Sequence, residues 1–274
     1  MRPLPSLVTA VLILGCSGDV AGARGAVEMP DGGAIEARLG RVARQRVYFG
    51  HQSVGYNIVE GLEALAREHP GAGLRLVEGR SPAALSTPAF AHAKNGRNQE
   101  PLSKIADFAE SLEGGGLGDV VDVAFFKFCY VDFPPGADVE GIFAVYRETM
   151  ARLRARFPRT RFVHVTSPLT VVQSGPKALL KRLLGRPLGG AEANAARERF
   201  NALLREAYAG REPVFDLAAV EATGPDGRRT TFNHQGRELP ALVPEYASDG
   251  KHLNQAGARH VALALLRVLS DAVE

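Results

Sequence analysis

A serine near one end of the chain and an acid–imidazole pair near the other are the residues whose types could do chemistry together. Ser53 lies in Phe49-Gly-His-Gln-Ser53-Val-Gly-Tyr-Asn57, and Asp249 and His252 lie in Tyr246-Ala-Ser-Asp-Gly-Lys-His-Leu-Asn-Gln-Ala-Gly257. A serine hydroxyl is a weak nucleophile at its own pKa and needs a base to take its proton. The short Gly-containing spacer lets the Asp249 carboxylate reach one ring nitrogen of His252, fixing the tautomer and leaving the other nitrogen to accept that proton. The three groups together would perform acyl transfer. Singly, each has a plainer reading: a serine at a helix start is commonly an N-cap, and Asp-x-x-His is a frequent structural spacing.

Bringing the two ends together requires a fold that collects loops along one edge. Val47-Tyr-Phe49 reads as a buried strand that breaks at Gly50, and Val54, Ile58, Leu62 and Leu65 then recur at helical spacing through Glu68. A short helix is predicted over 34–44, a strand over 74–78, and a long loop without period over 81–101. Helical spacing returns over 102–112. The nearly continuous apolar run 120–133 reads as a central strand covered on both faces. Residues 136–157 form an amphipathic helix, 162–166 a strand halted by Pro168, 177–184 and 191–208 two helices, and 214–217 a last short strand. An irregular stretch follows, then a helix from Gln255 with Val261, Ala264, Leu265 and Val268 inward. Strands alternating with helices predict an α/β fold with a mostly parallel sheet, its ligand site beyond the carboxyl ends of the strands.

The two end blocks, in this order, resemble the SGNH (GDSL-type) hydrolase superfamily, and Asp249-Gly-Lys-His252-Leu-Asn-x-x-Gly257 is close to its final block. The resemblance runs from Phe49 to Leu266. It implies a three-layer α/β/α sandwich with a flavodoxin-like central sheet, Ser53 as nucleophile, His252 as general base and acid, and Asp249 as its orienter. It further implies a small-molecule or carbohydrate ester as substrate and no cofactor. Other blocks depart from the family pattern. The usual Gly-Asp-Ser is His51-Gln52-Ser53, and Cys129-Tyr130-Val131-Asp132 stands where the family has Gly-x-Asn-Asp. The second block falls at Asn95-Gly96-Arg97-Asn98. There the Gly96 N–H and the Asn98 amide, with the N–H of Ser53, are the expected oxyanion donors, with Asn95 or Asn57 as alternatives. His51, Tyr130 and Asp132 are candidate substrate contacts, against packing for His51 and turn-capping for the other two. An acyltransferase using the same residues, and a non-catalytic binding protein on the same fold, are the rival readings.

The chain has 274 residues, enough for one sizeable domain, expected over 34–274. A net charge of +3 gives no bulk attraction to nucleic acid, and no such partner is expected. Met1-Arg2, an apolar stretch over 7–14 and Leu14-Gly15-Cys16 resemble a bacterial lipoprotein signal, an ordinary signal peptide being the alternative. The resemblance implies a signal peptide over 1–15, lipid on Cys16, a flexible tether over 16–33 and a membrane-anchored place in the cell envelope, periplasmic or surface-facing. Cys129 then has no partner within the chain and is expected to be a buried, inert thiol. His164 reads as a core residue; His234 and His260 lack partners at ligand spacing, so no metal site is expected. Lys177, Lys181, Arg182 and Arg186 give a basic helix, read as an exposed face, with a flap over the cleft or contact with anionic lipid as alternatives.

Overall fold

The structure is a computed structural model that describes residues 31–274; the expected signal peptide, Cys16 and residues 16–30 of the expected tether lie outside the described residues. The sheet begins with β1 (Arg46–His51), flanked by α1 (Gly32–Ala43) and α2 (Val54–Glu68). There follow β2 (Leu76–Glu78), β3 (Ala89–Lys94), α3 (Pro101–Leu112), β4 (Val123–Phe126) and α4 (Val139–Arg156). Next come β5 (Arg161–Phe162) and β6 (His164–Val165), joined by Val163, whose N–H donates to Ala124 O at 3.2 Å. The chain continues through α5 (Pro176–Leu183), α6 (Ala191–Tyr208), β7 (Val214–Phe215), α7 (Leu217–Glu221), the hairpin β8 (Thr231–His234) and β9 (Arg237–Pro240), and α8 (Gln255–Ala272).

Strands run parallel in the order β2-β3-β1-β4-β5, and β6 extends the sheet by pairing with β7 in parallel. Without the edge strand β2 this is the flavodoxin-like order. Side chains alternate across a strand, and that alternation divides the core. Val47, Phe49, Phe90, Val123 and Phe125 pack under α1, α2 and α8, whereas Tyr48, Ala91, Ala124 and Phe126 pack under α3, α4 and α6. The α/β/α sandwich expected from the sequence is therefore the fold.

Three segments differ from the expectation. The loop over 81–101 contains β3, central to the sheet, whose Ala-Phe-Ala-His-Ala-Lys sequence carries little intrinsic strand preference. Small alanines suit a position where neighbours press from both sides, so packing overrides propensity. The run over 120–133 is a strand only from Val123 to Phe126; beyond it the Asp132 carboxylate takes the Cys129 N–H at 2.6 Å and turns the chain. The irregular stretch before the last helix holds β8 and β9, joined through Gln235 and Gly236, both at positive φ (51° and 79°).

Candidate active site

Ser53 occupies the short passage between β1 and α2, at the carboxyl edge of the sheet. Its backbone is held at φ 52°, ψ −116°, a region a non-glycine residue rarely adopts, at a cost of about 1–3 kcal/mol. Neighbours fix this conformation. The Gln52 carbonyl accepts the Gly55 N–H at 3.0 Å and the Lys127 ammonium at 2.9 Å. The Gln52 side chain donates to Asn95 O at 3.2 Å and also to Gly96 O. Ser53 is not a side-chain cap of α2; its Oγ is turned away from the helix, 2.7 Å from His252 Nε2.

The acid and the imidazole are set by their own loop. Asp249 Oδ1 accepts the backbone N–H groups of Lys251 (2.9 Å) and His252 (2.8 Å), and its Oδ2 lies 2.8 Å from His252 Nδ1. The backbone N–H of His252, then its ring, hold the Asp249 carboxyl down at about 2. An ionised carboxylate only accepts, so Nδ1 carries the hydrogen and Nε2 is left to accept the Ser53 hydroxyl proton. Asn254 closes the loop onto α8 by accepting the Gly257 N–H at 3.0 Å, while its amide donates to Glu245 O at 2.7 Å.

The two halves meet because α2, which follows Ser53, packs directly on α8, which follows His252. Gly61 makes that approach possible: a Cβ there would lie 2.4 Å from Ala258 O and 2.8 Å from the Ala262 methyl. Asn57, one turn into α2, accepts the Leu253 N–H at 3.2 Å and links the halves directly. Gly61→Ala is expected to lose about 1–3 kcal/mol despite its better helix propensity, because the obstacle is backbone. Urea unfolding reads the stability, and a parallel fall in kcat/KM reads the widened Ser53–His252 gap.

The structure revises the expected anion-binding and substrate-contact residues. The Gly96 N–H is not an oxyanion donor, because it is taken by Asp107 Oδ2 at 2.8 Å. Asn98 is exposed; its Oδ1 accepts the Lys104 ammonium at 2.9 Å, which leaves the amide N–H groups as its donors. The Ser53 N–H has no hydrogen-bond partner among the described residues. The alternative donors are used elsewhere, Asn95 on Lys104 O at 3.0 Å and Asn57 on Glu60 at 3.2 Å. Asp132 does not face substrate: it is buried, 3.6 Å from the Lys104 ammonium, and accepts the N–H groups of Cys129 and Gln99. Burial raises its pKa, with Lys104 working against that rise. Tyr130 does reach the site, its ring edge-on to His252 at 5.5 Å between centroids. Arg197 anchors it by donating to Tyr130 O at 2.8 Å.

His51 is likewise not a pocket residue. It is fully buried, 3.1 Å from His92 Nδ1 through its Nε2, and fits because residue 55 is glycine, where a Cβ would lie 2.4 Å from the ring. Burial, then the Lys127 charge, depress its pKa from 6.5 to about 2. The unfolded chain therefore takes up a proton that the folded chain refuses. Its contribution to stability is intact above pH 6.5 and is progressively lost as pH falls toward about 2. The urea midpoint, followed from pH 7 to pH 4, is expected to fall, and His51→Phe to make that fall shallower.

Lys127 is a further residue at the Ser53 turn, outside those the motifs mark. It is fully buried beneath the Ser53 turn, donating to Gln52 O at 2.9 Å and Phe128 O at 3.1 Å, and burial lowers its pKa to about 8. A charged residue inside the apolar run Phe125-Phe126-Lys127-Phe128 was the available signal. Lys127→Met removes the ammonium that holds the Gln52–Ser53 peptide. Displacing a reacting group by about 1 Å costs on the order of 100-fold. A fall in kcat of that order at unchanged KM is the expected result of steady-state assays.

Cys129 is a buried free thiol, and His164 is a satisfied core residue between the Tyr146 hydroxyl (2.7 Å) and Glu212 (3.2 Å). Both agree with their sequence readings.

No family model and no curated protein matches this sequence. Among solved structures, it is similar to a lipase/acylhydrolase from Enterococcus faecalis, at 14% identity and a TM-score of 0.47, over 83% of this chain and 96% of that one. It is also similar to an acetylxylan esterase from Geobacillus stearothermophilus, at 10% identity and a TM-score of 0.45, over 82% and 94% of the two chains.

Proposed function

We propose that this protein is a serine esterase of SGNH type that cleaves a carboxylic ester through an acyl-enzyme intermediate. The observation that carries the reading is the unbroken line of hydrogen bonds from Ser53 Oγ to His252 (2.7 Å) and on to Asp249 (2.8 Å). Ser53 Oγ attacks the acyl carbon as its proton passes to His252 Nε2, and the imidazolium stays paired with Asp249. The tetrahedral oxyanion is held by the Ser53 N–H and the Asn98 amide. Collapse breaks the bond to the alcohol, which takes the proton from His252 and leaves the acyl group on Ser53. Water then enters, gives its proton to His252, attacks the acyl carbon and releases the acid, returning the proton to Ser53.

The substrate we favour is an acetylated carbohydrate. The acetylxylan esterase with a similar fold acts on such a compound, and a carbohydrate of the cell envelope would meet an exported enzyme. Export, with lipid on Cys16, belongs to the same proposal and rests on the sequence of residues 1–16. Acetate release from acetylated polysaccharide is compared with hydrolysis of long-chain acyl esters. Faster turnover of the acetyl substrate is expected, and a preference for long chains would overturn the substrate assignment. Incorporation of a tagged fatty acid by the wild type but not by Cys16→Ser tests the anchor.

A further inference from the structure

Helix α5 presents to solvent a surface that nothing in the esterase mechanism uses. Leu179, Leu180 and Leu183 are 60%, 57% and 77% exposed, and Leu184, whose N–H still bonds to Leu180 O at 3.1 Å, is 59% exposed. Elsewhere among the described residues only Leu102 and Val145 are large apolar side chains so exposed. At about 100° per residue, Leu179 with Leu183 and Leu180 with Leu184 form adjacent pairs, one turn apart, on a single face. Ala178 projects from the opposite side and is buried against the domain with Val172, Leu188 and Phe232. The leucine face is thus turned outward by the way the helix is seated.

Charge identifies what covers it. Between residues 174 and 190 the chain has four basic residues, Lys177, Lys181, Arg182 and Arg186, and no acidic one. An apolar stripe on a segment whose charged residues are all basic fits an anionic lipid surface: leucines enter the acyl boundary and ammonium groups remain at the headgroups. A second copy of the same helix would bring like charges together. No helix among the described residues is long and apolar enough to cross a membrane, so contact would be along the surface.

The helix is tied to the rim of the active site. Lys181 donates to Gln173 Oε1 at 2.8 Å, and the Val171 N–H donates to Gly250 O at 2.9 Å, inside the Asp249–His252 loop. We propose that α5 is an interfacial docking helix that seats this rim on anionic phospholipid. This goes beyond the esterase assignment and stands whether or not Ser53 is a nucleophile.

A local probe tests it in the full chain. Cys16→Ser leaves Cys129, which is buried, so an environment-sensitive fluorophore can be placed on Leu183→Cys, and in a reference chain on Arg211→Cys. With phosphatidylglycerol-containing vesicles, the label at 183 is expected to shift to the blue and to be quenched by spin-labelled lipid, and the label at 211 to stay in water. Lys177→Glu with Lys181→Glu is expected to weaken this response at least about tenfold. A label at 183 that stays in water while the chain is bound overturns the proposal. So does an equal response on pure phosphatidylcholine, or a blue shift that follows protein concentration without vesicles, the mark of a second copy covering the face.

Discussion

Ser53→Ala is expected to reduce ester hydrolysis by at least about 1,000-fold, and His252→Ala by a similar factor. Ser53 Oγ and His252 Nε2 are 2.7 Å apart, so the hydroxyl and its base act as one unit. The double substitution should therefore cost little more than either single one, because once the nucleophile is gone the base has no proton to take. Ser53→Ala should fold normally. The side chain makes no cap bond, and alanine is no worse than serine at the Ser53 φ of 52°. Steady-state kinetics with a chromogenic acetate, alongside the urea midpoint, checks both halves. A Ser53→Ala chain that retained wild-type turnover would place the chemistry elsewhere.

Asp249→Asn is expected to have the next largest effect, about 100- to 10,000-fold in kcat. An asparagine keeps an oxygen for the backbone N–H groups of Lys251 and His252, so the loop should stand. Its amide would instead donate to His252 Nδ1, driving the ring hydrogen to Nε2, where it faces Ser53 and cannot accept a proton. The lower end of the range reflects exposure: the Asp249 side chain is 52% accessible, so water can partly replace it. In the wild type, stability is expected to vary little with pH above about pH 5 on account of this group. The Asp249 carboxyl is depressed to about 2, and its contribution is complete above the usual carboxylate range and is lost only as pH falls through that value. Chemical shifts of the His252 ring nitrogens, measured in both chains, would show the change of tautomer directly.

The meeting of Ser53, His252 and Asp249 was legible in the sequence because each of them sits at a boundary that periodicity marks. Ser53 falls where a strand pattern gives way to a helix pattern, and Asp249 and His252 fall just before the last amphipathic helix. Their partners were not legible, because burial and backbone bonding decide them. Nothing in the type of Gly96 or Asp132 tells that one gives its N–H to Asp107, or that the other is neutralised by Lys104. β3 is not legible in the sequence for a related reason: alternating alanine with phenylalanine and histidine is a strand only between β1 and β2. His51 and Lys127 are both fully buried beside the Ser53 turn. The Ser53 backbone is thus held from below by Lys127 on Gln52 O.

The central claim is that His252 activates the Ser53 hydroxyl toward an electrophile. Intact-mass analysis after exposure to a fluorophosphonate, with peptide mapping of the adduct, tests it most directly. A single adduct on Ser53 in the wild type, absent from Ser53→Ala and strongly slowed in His252→Ala, is the result this geometry requires. A folded wild type that takes up no adduct, or takes it up on another residue, would contradict it.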